Sequence, residues 1–179
     1  MSSHPFELVP YPDTEIPEVR ITGKIDRVGN ILTVYYSLCG KVDQVLLPPP
    51  NPQPGRKEKL WLETCFEFFL ALPNQSQYWE FNFSPSSDWN VFHMDAYRRI
   101  GFREEDLIRN PCLVVRREIN CLKLEAVIDL SPILELETGL FAGVTSVIQS
   151  NQGQETYWAL THPQQVADFH LRDSFILTL

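Results

Sequence analysis

Residues 60–85, LWLETCFEFFLALPNQSQYWEFNFSP, hold two ring-rich runs separated by the polar stretch PNQSQ. Rings and polar groups alternate with a period of two, and period two is the signature of a strand with two different faces. Trp79, Phe81 and Phe83 point one way, and Tyr78, Glu80, Asn82 and Ser84 the other. On the preceding run Phe66, Phe68 and Leu70 oppose Glu63, Cys65, Glu67 and Phe69. Antiparallel pairing puts like faces together, since a one-residue slip would bury every polar group. The favoured register sets Phe68 opposite Phe81, Phe66 opposite Phe83 and Glu67 opposite Asn82. A shift by two residues would bring Glu67 against Glu80, and facing like charges are unfavourable.

Alternation of this kind recurs along the chain, and no long helical period interrupts it. VRITGKIDRVGNILTVYYSLCG reads as two strands around a turn at Gly29–Asn30. The stretch before Pro17 reads as an extended lead-in or edge strand. Pro48, Pro49, Pro50, Pro52 and Pro54 make residues 46–59 a long surface loop. Further strands fall at WNVFHMDAY, CLVVRREIN, CLKLEAVIDL, GLFAGVTSVIQ, TYWALTH and DSFILTL. SPILELE reads as one short helical turn, with Ser131 as N-cap and Pro132 at its first position. Nine to eleven short strands in 179 residues predict an all-β chain. The expected architecture is an antiparallel β-sandwich of jelly-roll type, in one domain over residues 1–179.

Charge narrows the function classes. The net charge is −8 with no basic run, so neither nucleic acid nor an anionic membrane is an expected partner. No stretch approaches ~18 uninterrupted apolar residues. The N-terminus has no basic start followed by an apolar run. Cys39, Cys65, Cys112 and Cys121 form no C-x-x-C pair, and they read as free thiols packed as small hydrophobes. A reduced, cytoplasmic setting is the expectation.

The polar face of the ring-rich hairpin is the candidate site. It carries Glu63, Glu67, Glu80 and Asn82, with Trp61, Phe69 and Tyr78 among them. If Phe92, Met94 and Ala96 face the core, the next strand adds Trp89, Val91, His93, Asp95 and Tyr97. Carboxylates and amides that pair with hydroxyls, beside flat rings that pack on C–H faces, suit a small polar ligand. The expected ligand-binding set is Glu67, Glu80, Asn82, Trp89, His93, Asp95, Tyr97 and Arg98. Trp89 and Tyr97 would stack, and Arg98 would orient a carboxylate or meet an anionic substituent.

LWLETCFEFFLALPNQSQYWEFNFSPSSDWNVFHMDAYR, followed near the end by YWALTHPQQVADFH, resembles the DOMON-like proteins of bacteria, which are similar to the family 9 carbohydrate-binding modules. The likeness in layout covers almost the entire chain. It implies a jelly-roll sandwich and a ligand-binding role, with a sugar or haem as the ligand. The haem alternative would use Met94 with His162 or His170 as axial ligands. No other cofactor is called for.

An enzyme is the weaker reading. Glu67 and Glu80 as diagonal neighbours lie ~7–8 Å apart, inside the ~6.5–9.5 Å span of an inverting glycosidase pair. Carboxylates on an open sheet are more often solvated, or bound here to Arg98 or Arg99. No G-x-S-x-G, H-E-x-x-H or glycine-rich phosphate loop occurs. The four histidines are scattered and predict no metal centre. An acidic sandwich with exposed rings also suits a protein partner, and a flat rather than a concave face would favour that reading.

Overall fold

The computed structural model describes residues 2–12, 15–98, 102–136 and 138–179. Arg99 lies outside the described residues. The strands are β1 (Ser2–Pro10), β2 (Val19–Val28), β3 (Ile31–Gly40), β4 (Cys65–Ala71), β5 (Tyr78–Phe83) and β6 (Trp89–Met94). They continue as β7 (Arg103–Glu104), β8 (Cys112–Arg117), β9 (Cys121–Asp129), β10 (Phe141–Gln149), β11 (Glu155–Ala159) and β12 (Leu177–Thr178).

Every pairing between these strands is antiparallel. One layer runs β1-β2-β3-β9-β8 and the other β7-β6-β5-β4-β10-β11, with β12 on the end of β10. The two layers are one curled sheet, because β1 belongs to both. Its residues 2–8 pair with β2, while Val9 and Pro10 pair with β11. The N-terminal stretch is therefore the seam of the sandwich rather than an edge, and its prolines fall where a ladder position can be given up.

The core fills the space between the layers. Ile21, Ile25, Val34, Leu38, Leu124 and Ile128 descend from one layer, and Phe66, Phe68, Phe81, Phe83, Val91 and Val144 rise from the other. Phe68 stacks on Phe81 at 4.3 Å between ring centroids, nearly parallel. The β4–β5 register is the one expected, with Phe68 across from Phe81, Phe66 from Phe83 and Glu67 from Asn82.

Two local expectations are corrected. Residues 131–134 do make a single turn, but Asp129 caps it: its carboxylate accepts from the Ser131 backbone N–H at 2.9 Å and from Oγ at 2.6 Å. An Asp at the end of a strand supplies the acceptor earlier than Ser131 can. Cys39 and Cys121 are not free thiols. They face each other across β3 and β9 and form a disulfide, leaving Cys65 buried and Cys112 exposed as thiols. An 82-residue separation hid this pairing, since only the β3–β9 register brings the two together. The ground for a reducing compartment is withdrawn for these two residues. Among the described residues no helix is long and apolar enough to cross a membrane.

Non-reducing peptide mapping should recover a Cys39–Cys121 cross-linked peptide and two alkylatable thiols. Reduction should lower stability by about 2–4 kcal/mol in a denaturant titration, the usual effect of opening a long loop. Four alkylatable thiols in the native, unreduced protein would contradict the pairing.

Candidate functional site

The outer face of the β4–β5 layer is not left to solvent. From Leu160 onward the chain crosses over it and brings Phe169, His170 and Phe175 down onto Phe69, Tyr78 and Tyr157. Phe175 comes so close to β10 that a Cβ at Gly143 would sit 2.7 Å from its ring. That position accepts only glycine while the segment stays docked. Trp61, in the single turn Leu60–Leu62 at the end of the proline-rich loop, packs edge-on against Phe92 at 5.6 Å.

Between these covers lies a cavity of about 480 Å³, within the range of small-molecule sites. Its floor is the sheet: Glu67 and Phe69 on β4, Glu80 on β5, Phe92 and Met94 on β6, Val147 on β10, Glu155 and Tyr157 on β11. Trp61, Leu62, Arg98, Phe102, Ala167, Phe169 and His170 form the rim. From β6 to β11 is four strand steps, ~19 Å at ~4.8 Å each. The rings cluster toward the two ends, Trp61, Phe92 and Phe102 at one and Tyr157 with Phe169 at the other. The acids Glu67 and Glu80 lie between them, on the two central strands.

Both central acids are buried, Glu67 at 2% exposure and Glu80 at 7%. They are diagonal neighbours across the β4–β5 ladder, as the register requires. Glu80 Oε1 accepts from Asn82 Nδ2 at 2.8 Å. Glu67 Oε2 accepts a longer bond from Thr145 Oγ1 at 3.3 Å, and its Oε1 has no partner. Burial disfavours a carboxylate strongly. It pushes the Glu80 carboxyl up to about 7, against the opposing pull of Asn82 and Arg98. Burial, and then the neighbouring Glu80 charge, hold Glu67 well above the ordinary carboxylate range.

The basic groups at the rim are otherwise engaged. Arg98 donates to Asp168 Oδ1 through Nε at 3.2 Å and Nη2 at 2.9 Å, so the carboxylate it orients is Asp168. His170 shares a 2.9 Å hydrogen bond with the Tyr78 hydroxyl, and burial lowers its ring to about 4, neutral at pH 7.

The expected site residues divide accordingly. Glu67, Glu80 and Arg98 line the cavity, and Asn82, fully buried, holds Glu80 from behind. Trp89 and His93 do not belong to it, because β6 presents the opposite face from the one expected. Phe83 pairs with Trp89, Phe81 with Val91, and Trp79 with His93, all on the core side. Trp89 lies in the core with Arg56 over its indole. His93 packs edge-on against Trp79. Asp95 sits beside His93 and pairs with Arg103 at 3.1 Å, away from the cavity. The Tyr97 hydroxyl donates to Asp168, so Tyr97 braces the rim and does not line the cavity.

Phe92 and Met94, expected in the core, are cavity floor instead. The apolar pair Trp89 and Val91 was the available signal, since two such residues at one parity belong inside. Glu155, Tyr157, Phe169 and His170 carried no local signal, because only the fold lays their segments over β4 and β5. His162 bonds the Val9 carbonyl at 2.9 Å and takes no part.

No family model matches the chain, and no curated protein does. Among solved structures, a "putative carbohydrate-binding protein" from Bacteroides uniformis matches over 97% of this chain and 83% of its own, with a TM-score of 0.71 and 12% identity. A family 9 carbohydrate-binding module from Caldicellulosiruptor kristjanssonii, in complex with cellotriose, matches over 85% of this chain and 70% of its own, at a TM-score of 0.55 and 14% identity. At these identities the likeness is one of fold.

The raised Glu80 pKa sets a pH dependence. A carboxyl raised from about 4.5 to about 7 binds its proton more tightly in the folded chain than in the unfolded one. The stability it lends is full below pH 4.5 and is lost as pH rises through 7. His170, lowered by burial, runs the other way, losing stability as pH falls from 6.5 toward 4. Comparison with Glu80→Gln isolates the acid: between pH 5 and 8 the wild type should lose roughly 2 kcal/mol relative to the variant. Urea midpoints at three pH values measure this, and parallel curves would mean that Glu80 titrates normally.

Proposed function

We propose that residues 1–179 form one non-catalytic binding domain that holds a carbohydrate or a similar small polar ligand in the cavity over β4 and β5. One observation carries the reading: buried carboxyls with unused hydrogen-bonding capacity lie in a concave trough with rings at either end. Hydroxyls can donate to Glu67 and Glu80, and the C–H face of a pyranose can pack on Trp61 or Tyr157. A concave trough favours a small ligand over the flat contact of a protein partner. The fold shared with a module that holds cellotriose supports the class of ligand, as does the sequence resemblance to DOMON-like proteins. The absent catalytic motifs agree with binding rather than turnover.

A second reading rests on Met94 and His170, which line the same cavity. They are a thioether and an imidazole, the donor pair that a haem iron takes. Haem would then displace the sugar from this volume.

A thermal-shift and calorimetry screen of oligosaccharides, with haemin alongside, separates the two readings. A saturating ligand at ~100 times its Kd should add ~2.7 kcal/mol to stability. Trp61→Ala and Tyr157→Ala should each weaken sugar binding at least tenfold with the fold intact. Trp89→Ala should instead destabilise the fold by about 3–5 kcal/mol. A Soret shift with haemin that Met94→Ala removes would install the haem reading in place of the sugar.

A further inference from the structure

We infer that the ligand of this cavity carries a positively charged nitrogen, seated over Glu67 and Glu80. The inference rests on reading the cavity as a ligand site and names the chemistry of what enters it. Glu67 Oε1 is an acceptor without a donor in a side chain only 2% exposed, and an unanswered buried acceptor is costly. Thr145 gives its other oxygen one long bond, and Asn82 serves Glu80 alone.

Charge points the same way. Glu67, Glu80 and Glu155 all line the cavity, while Arg98, which also lines it, is committed to Asp168 by two N–H groups. His170 is neutral at pH 7 and adds no positive charge. The cavity is thus acidic at its centre with no unpaired cation among its described lining residues. A hydroxyl would satisfy one lone pair but leave the charge uncompensated in a buried place. An ammonium supplies up to three donors and the counter-charge together. Rings on both flanks add to this, because a cation is attracted to aromatic faces. Combined with the saccharide reading, the ligand is an amino sugar with a free, protonated amine.

Three trisaccharides that differ only at C2 test this in the wild-type protein at pH 7 by calorimetry: the β-1,4-linked glucosamine trimer, the N-acetylglucosamine trimer and cellotriose. Choline, a cation without a sugar, is the fourth probe. The expected result is at least tenfold tighter binding of the glucosamine trimer than of the other two, falling to within about twofold in Glu67→Gln or Glu80→Gln. Equal binding of the three sugars would overturn the inference and leave the carbohydrate reading standing. Binding of choline with no trisaccharide bound would uphold the cation and overturn the sugar. Failure of all four would overturn both. If the Gln variants do not fold, the wild-type comparison alone decides.

Discussion

Phe68 stacks on Phe81 across the β4–β5 ladder, and the direction of every neighbouring side chain follows from that pair. With these two rings facing inward, Phe66 and Phe83 must face inward too, because strand side chains alternate. Glu67, Phe69, Glu80 and Asn82 are then committed to the outer face. A slip of one residue would send the two carboxyls into the sandwich and four rings out of it. The penalty for burying unpaired charge there is what makes the register unique. The candidate site is a consequence of core packing: it lies on the reverse side of the aromatic layer.

The outer face is unusual in being nearly as buried as the inner one. All residues of β4, β5 and β6 are buried, although only one side of these strands meets the core. The C-terminal segment covers part of the outer side with Phe169, His170 and Phe175, and the turn bearing Trp61 covers another part. The cover gives the acids their character. A carboxyl on an open sheet would keep an ordinary pKa, whereas under this roof Glu80 rises to about 7. Removing water makes each remaining polar interaction stronger, and makes an unpaired oxygen such as Glu67 Oε1 expensive.

These two features explain why the cavity is a plausible place for selective binding on a rigid platform. The floor is held by two ladders on each central strand, so its carboxyls cannot swing away to find partners elsewhere. The rim is made of loops, held to one another by Arg98 and Tyr97 through Asp168. A rigid floor and a braced rim keep the loss of conformational freedom on binding small.

The sequence by itself determined the all-β class, the β4–β5 register and the assignment of Glu67, Glu80 and Asn82 to one face. Those are local properties, written in alternation and in the cost of a slip. Arg98 was legible as a charge beside the hairpin, though not its partner Asp168, which is 70 residues away. The facing of β6 was not legible, because rings and polar groups occur at both parities of WNVFHM and only pairing with β5 turns Trp89 inward. The tertiary structure alone decided the disulfide, which needs β3 beside β9. It alone placed Tyr157, Phe169 and His170 over the acids. These contacts join segments about 80 to 100 residues apart, and no period or motif in a single chain encodes which distant loop will roof a sheet. Burial of the outer face, and with it the shifted pKa values and the shape of the cavity, arises only when that roof is in place.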